Sequence, residues 1–206
     1  MGRRFAELAF TPIIKAQQLK HGSRHQYERI EQSDHSGNRI GPHEREFIHG
    51  RDGFYMASVS ESGWPYIQFR GGPKGFLQVI DDQTLGFADL RGNKQYISTG
   101  NLLYDNRIVL FLMDYPAQSR LKILGRAEIL EESATAKEWM DRLRPSGEKS
   151  PAERALLIHV EAFDWNCPQH ITPRYTVEEF ADALEPMRKR ITTLEQENAC
   201  LRNAPK

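Results

Sequence analysis

The feature that most restricts this chain is a run of short apolar segments, broken by turn residues at near-regular spacing, between residues 53 and 163. Segments 53–60 (GFYMASVS), 64–69, 76–81, 84–89, 106–114 (NRIVLFLMD), 120–130 and 155–163 (ALLIHVEAF) read as strands from their aromatic and β-branched content. Ser62-Gly63 turns one pair and Asp82-Gln83 links another. Six or seven such strands predict a mainly β fold with flanking helices, closed or half-closed as an antiparallel barrel. Run 106–114 is nearly continuously apolar, the pattern of a strand buried on both faces. In 120–130, Leu121, Ile123 and Gly125 alternate with Lys122, Leu124 and Arg126.

Helix signals flank these strands. Thr11 and Pro12 open a helix over 11–20, and Pro42 opens one through about residue 48, which Gly50 ends. Residues 21–41 are polar and Gly/Ser-punctuated, so they read as a loop with solvated histidines (His21, His25, His35 and, beside it, His43). Asn93 caps a helix over 93–104, and Ser133 caps one over 133–143. Three parts follow: a helical and loop extension over 1–52, a barrel domain over 53–175, and a C-terminal amphipathic helix over 176–206.

That last helix opens on a capping box, Thr176 with Glu179. Phe180, Leu184, Met187, Ile191, Leu194, Asn198 and Leu201 then step by four and three alternately, a heptad with one polar core position. Pro186 predicts a break or kink, which leaves about two clean repeats. The apolar stripe fits two dispositions: lying on its own barrel, or packing on a partner subunit.

Charge narrows the partners. Lys+Arg and Asp+Glu both number 28, so nothing favours nucleic acid or an anionic membrane surface. Two cysteines without paired spacing, Cys167 and Cys200, fit neither a disulfide framework nor a zinc site, and suit a reducing cytoplasm. The opening residues carry no long apolar run, so neither a signal peptide nor a membrane span is expected.

The chemistry concentrates between residues 68 and 101. Two basic, Gly-rich turns lie about twenty residues apart there: Arg70 to Gly75, and Arg91, Gly92, Asn93, Lys94. Glycines admit a close approach of backbone N–H groups, and Lys94 near a helix start adds charge to the dipole. The arrangement reads as an anion cradle, most simply a phosphate one; the plain alternative is two turns with solvated cations. No side chain reads as a nucleophile. Cys167 lies three residues before His170, but Pro168 stiffens the segment, and a packing or pocket role suits it better. No metal pattern occurs.

The blocks QFRGGPKGFL, LGFADLRGNKQYISTGNL, LFLMDYPAQSRLKILGRA and DWNCPQHI resemble the pyridoxamine-phosphate-oxidase-like family of FMN-binding split barrels, in its oxidase-related branch. The resemblance covers about residues 44–176. It implies a split β-barrel, a homodimer, and FMN held at the dimer interface. By position, Lys94 with Asn93 and Arg91 takes the FMN phosphate. Gln68, Phe69 and Arg70 lie along the isoalloxazine, while Phe87, Ala88 and Asp89 contact ribityl and phosphate. Arg120 and Leu121 reach the flavin from the other subunit. Trp165, Asn166, Gln169 and His170 close the pocket, with Trp165, Asn166 and His170 on the substrate side; a barrel-closing role for Trp165 and His170 is the alternative. Where the oxidases carry Ser-Arg-Lys, this chain has Gly92-Asn93-Lys94; one cation is missing, and Arg70 or Lys74 is the candidate replacement. The phosphate-gripping C-terminal segment of the oxidases is absent, which argues against pyridoxamine phosphate as substrate.

The implied function is an FMN-dependent oxidoreductase acting with a small-molecule substrate or electron donor. Three alternatives stand beside it: a non-catalytic flavin-binding or sensing module, a deazaflavin- or haem-binding member of the fold, and a dimeric scaffold whose tail recruits a partner.

Overall fold

Seven strands, four of them alternating with period two and two buried on both faces, build one antiparallel sheet that curls on itself. The computed structural model describes residues 1–148, 150–165 and 169–202. The strands are β1 (Gly53–Val59), β2 (Pro65–Gly71), β3 (Gln78–Val79), β4 (Thr84–Leu90), β5 (Arg107–Asp114), β6 (Ser119–Leu130) and β7 (Ala152–Trp165). The helices are α1 (Arg3–Ala9), α2 (Pro12–Lys20), α3 (Arg24–Glu31), α4 (Pro42–His49), α5 (Ile97–Tyr104), α6 (Ala134–Leu143) and α7 (Val177–Arg202). Neighbours in the sheet run β2-β1-β5-β6-β7-β4-β3, so β2 and β3 are its two edges and the barrel stays split between them.

Inward positions fill the barrel. Phe54, Met56, Leu85, Phe87, Leu110, Leu112, Leu121, Ile123 and Ile158 form its core, where the Phe54 ring lies 5.5 Å from both Phe76 and Phe87. A smaller cluster forms across the sheet, where α6 sets Leu143 against Ala88, Ala155 and Leu157. Ser133 caps α6 as expected, its hydroxyl accepting from the Ala136 N–H at 3.0 Å. The β6–β7 register shifts between Leu124 and Gly125. A Cβ at Gly125 would lie 2.7 Å from the His159 carbonyl, so the bulge needs glycine.

Several expectations are corrected. β3 is two residues long, because Phe76 and Leu77 enter the core from the preceding loop rather than from a strand. β5 is buried on one face only: Ile108, Leu110 and Leu112 are inside, while Val109, Phe111 and Met113 are half-buried. Helices α1 and α3 occupy segments not expected to be helical. α3 fully buries none of its residues, and its two apolar side chains, Tyr27 and Ile30, are half-buried, too few to read as a stripe; Arg24 and Lys15 hold its far end through Glu31. α5 begins at Ile97 rather than at Asn93. α7 runs unbroken through Pro186. The carbonyl that proline leaves without a helical donor belongs to exposed Asp182, where water can satisfy it. The capping box at its start forms, with Thr176 and Glu179 exchanging bonds of 2.9 and 3.1 Å.

Candidate functional site

Where β2, the end of β4, the 91–96 turn and the first turn of α5 converge, they enclose a cavity of about 200 Å³. Alternation on β2 aims Gln68 and Arg70 into it and turns Phe69 to the opposite face, its ring 5.5 Å from that of Tyr55. Gln68 accepts from the Ser98 hydroxyl at 2.7 Å, which ties the strand to α5. The first helical N–H groups of α5 have no intrahelical acceptor, and Ile97, Ser98 and Thr99 line the cavity.

The floor is ionic. Asp89, buried at the end of β4, accepts from Arg70 at 2.5 Å on one oxygen and from Arg154 at 2.9 Å on the other. Arg154 is 8% exposed, also bonds Thr99 and Glu131 at 3.2 Å, and stacks 5.2 Å from the Tyr96 ring. Burial opposes its charge, and Asp89 and Glu131 more than offset that, so its guanidinium titrates above the ordinary arginine value. The Arg70 Nε is buried without an acceptor. Lys94 stands at the exposed rim, and among the described residues it has no acidic partner.

The rim turn is not the helix start expected of it. Lys94 and Tyr96 adopt left-handed backbone conformations, φ 61° and 53°. Asn93 caps no helix; its side chain accepts from the Gln95 N–H at 3.2 Å, a local turn bond that competes with helix formation. Lys94 therefore lies ahead of α5, not in its first turn. Two strained residues in one short rim segment are what a pre-shaped binding loop shows.

The structure gathers only part of the set expected from sequence. Gln68, Arg70, Asp89, Asn93 and Lys94 line the cavity. Arg91 does not line the cavity; it pairs at 3.1 Å with Glu153, which does. Phe87 and Ala88 are buried on opposite faces of β4, in the two core clusters. Leu121 is wholly buried in the barrel, and Arg120 lies over Phe111 at 5.9 Å, away from this cavity. Trp165 donates to Glu44 at 2.8 Å and packs under α4 between His43 and Phe47. Gln169 and His170 are exposed and line none of the cavity, and Asn166 and Cys167 lie outside the described residues. Of the two candidate replacement cations, Arg70 is in the cavity; Lys74 lines a separate hollow with Arg51 and Arg174.

Arg154 was not anticipated. Its only signal is a cation immediately ahead of the apolar run 155–158. What makes it part of the site is the β4–β7 register, which sets it directly opposite Asp89. Among the described residues no group of three His, Cys, Asp or Glu could hold a metal ion, and no helix is long and apolar enough to cross a membrane.

A split antiparallel barrel with a cationic cavity beside one edge strand defines the class. The chain belongs to the pyridoxamine 5'-phosphate oxidase family, whose model matches residues 40–167, more than half of its 206 residues. Among solved structures it is similar to an FMN-binding protein from Syntrophomonas wolfei, with 14% identity, 73% of this chain and 97% of that one covered, and a TM-score of 0.48. It is also similar to a general stress protein 26-related protein of the pyridoxinephosphate oxidase family from Clostridium acetobutylicum, with 17% identity, coverage of 65% and 92%, and a TM-score of 0.43. An F420 reductase matches at 17% identity, with coverage of 58% and 94% and a TM-score of 0.42. No curated protein matches the sequence.

Proposed function

We propose that this chain is an FMN-dependent oxidoreductase, with the flavin phosphate in the Lys94 cavity and the ring between two copies of the chain. The observation that carries the reading is the cavity's charge arrangement: two arginines anchored on Asp89 below, and an unpartnered lysine above. Fixed arginines present donors without reorganising, and Lys94 supplies the charge a phosphate needs. The hydroxyls and free N–H groups at the start of α5 complete the donor set.

The fit extends to size. About 200 Å³ is below the ~300–1,000 Å³ of a typical small-molecule site, enough for a phosphate and part of its chain but not for a tricyclic ring. The ring needs a second wall. In this reading a second copy supplies it, docked on the outer face of β2-β1-β5, the side of the sheet away from the cavity, where Tyr55, Val59, Ile67 and Phe69 are 37%, 37%, 62% and 59% exposed. A contiguous apolar face of this kind is a usual protein-interaction surface. A second copy is the occupant the family implies.

A bound isoalloxazine supplies the two-electron redox chemistry. The chain's part is to bind and orient: Lys94 and the α5 turn hold the phosphate, Gln68 presents its amide along the cavity wall, and the Arg70–Asp89–Arg154 bridge keeps the floor rigid. Recombinant protein tests this directly. The expected result is a yellow protein whose cofactor has the mass of FMN, bleached by NADH or NADPH and recoloured in air. A protein that purifies colourless and takes up no added FMN overturns the reading. A deazaflavin or haem mass replaces FMN while keeping the cavity, and a flavin no donor reduces makes the chain a binding module.

A further inference from the structure

We propose that α7 pairs in parallel and in register with α7 of a second copy of this chain, as a two-stranded coiled coil. The proposal rests on α7 alone and not on the flavin reading. Most of its described apolar stripe is uncovered: Leu184 is half-buried, but Phe180, Met187, Ile191 and Leu194 are 58%, 64%, 55% and 39% exposed. This removes the first of the two dispositions the sequence allows, since no part of its own barrel shelters those side chains. The helix runs 26 residues without interruption, so the heptad is longer than Pro186 suggested. Leu184, Ile191 and Asn198 fall at a positions, and Phe180, Met187 and Leu194 at d. Pro186 falls at c, on the outer face, where it leaves the seam clear.

The occupant follows from charge. On the outer face, Lys189 reaches Glu185 at 3.6 Å within the helix. The residues flanking the seam are unspent: among the described residues, none of Arg190, Glu195, Glu197 and Arg202 has an ion-pair partner. In a parallel pair, a g residue faces the e residue five positions on in the other helix. Arg190 then meets Glu195 of the second copy, and Glu197 meets its Arg202. Each pairing occurs twice by symmetry, and no like charges meet. The helix is complementary to itself, the property an isologous interface requires.

Asn198 decides the orientation. One antiparallel register also matches charges, but it sets Asn198 against Met187 and leaves a buried amide without a partner. In the parallel register Asn198 faces its own copy and the two amides bond each other, the arrangement in which a single core asparagine fixes register. Within the chain its amide makes one bond, to the Leu194 carbonyl at 2.9 Å.

The full-length chain carrying Cys167→Ser and Cys200→Ser tests the pairing by oxidation of one introduced thiol. Leu184→Cys is expected to form an intermolecular disulfide roughly tenfold faster, or more, than Glu185→Cys, because pairing raises its effective concentration to about the millimolar range. Adding Glu195→Arg and Glu197→Arg should abolish that advantage by setting four like-charge contacts. Mixing this variant with Arg190→Glu/Arg202→Glu protein should restore it in the mixed pair only. Positions 185, 190, 195, 197 and 202 are exposed on α7, and an unchanged near-ultraviolet circular dichroism spectrum of every variant checks the barrel. Lys94→Ala should leave crosslinking untouched, which separates this proposal from the flavin site. Equal crosslinking at 184 and 185, or crosslinking indifferent to the charge reversal, overturns the proposal; a disulfide formed only when Leu184→Cys is combined with Leu201→Cys overturns its parallel orientation.

Discussion

Two corners of the barrel carry the residue types that binding sites use, and they spend them differently. At the α4 corner, Trp165 gives its N–H to Glu44, whose other oxygen accepts the Gly41 N–H at 3.1 Å, and His43 and Phe47 close over the indole. The polar atoms of that knot are consumed in holding it shut. At the α5 corner, Asp89 is spent on two arginines, but Lys94, the buried Arg70 Nε and the first N–H groups of α5 stay uncommitted around an open cavity. The difference shows that residue type nominates a site, whereas unspent hydrogen-bonding capacity makes one.

Three measurements break or sharpen that contrast, and a fourth, away from both corners, gives its baseline. The largest effect is expected at the closed corner: Trp165→Ala should cost about 3 kcal/mol in urea unfolding, from lost packing and an orphaned Glu44, while the folded fraction still takes up added FMN. Flavin lost without that loss of stability would move Trp165 into the site. Arg154→Met comes next. It leaves Asp89 with Arg70 alone and frees Glu131, for about 2 kcal/mol of stability, and it should also weaken FMN binding, because floor and pocket are one network. Lys94→Ala should leave stability within about 0.5 kcal/mol of wild type yet weaken FMN binding roughly 10- to 100-fold, read by fluorescence titration. Full flavin retention in that variant would remove Lys94 from the phosphate site.

The smallest effect belongs to neither corner. Hydrogen bonds from Arg126, then Arg4, hold the Glu161 carboxyl below its ordinary value of 4.5. Its folded pKa is depressed, so its contribution is present above about pH 4.5 and is lost as pH falls through the lower folded value. The pair is partly exposed, so Glu161→Gln should flatten acid destabilisation by only about 0.5 kcal/mol, with no change in bound flavin.

How much of this was legible differs by element. Strands β1, β2, β5 and β6 were readable because one face is more buried than the other, which imposes period two, and β4 and β7 because burial on both faces leaves an apolar run. Ser133 and the Thr176–Glu179 box were readable because a cap is a bond between near neighbours. The start of α5 was misread, since Asn93 can cap a helix or close a turn, and the left-handed turn at Lys94 and Tyr96 settles which. α3 turns only Tyr27 and Ile30 inward, too few to detect as a stripe. Within the candidate site, Gln68, Arg70, Asp89 and Lys94 could be named from sequence, but their common cavity could not.

The chain by itself determined the alternating strands, the basic turns and the heptad of α7, because each depends on neighbours a few positions apart. Tertiary structure decided what pairing across the chain controls: Arg154 opposite Asp89, 65 residues away, Trp165 locked onto Glu44, 121 residues away, and an α7 stripe left open. Strand register and packing are collective, fixed by the whole core at once, so no local stretch of sequence encodes them.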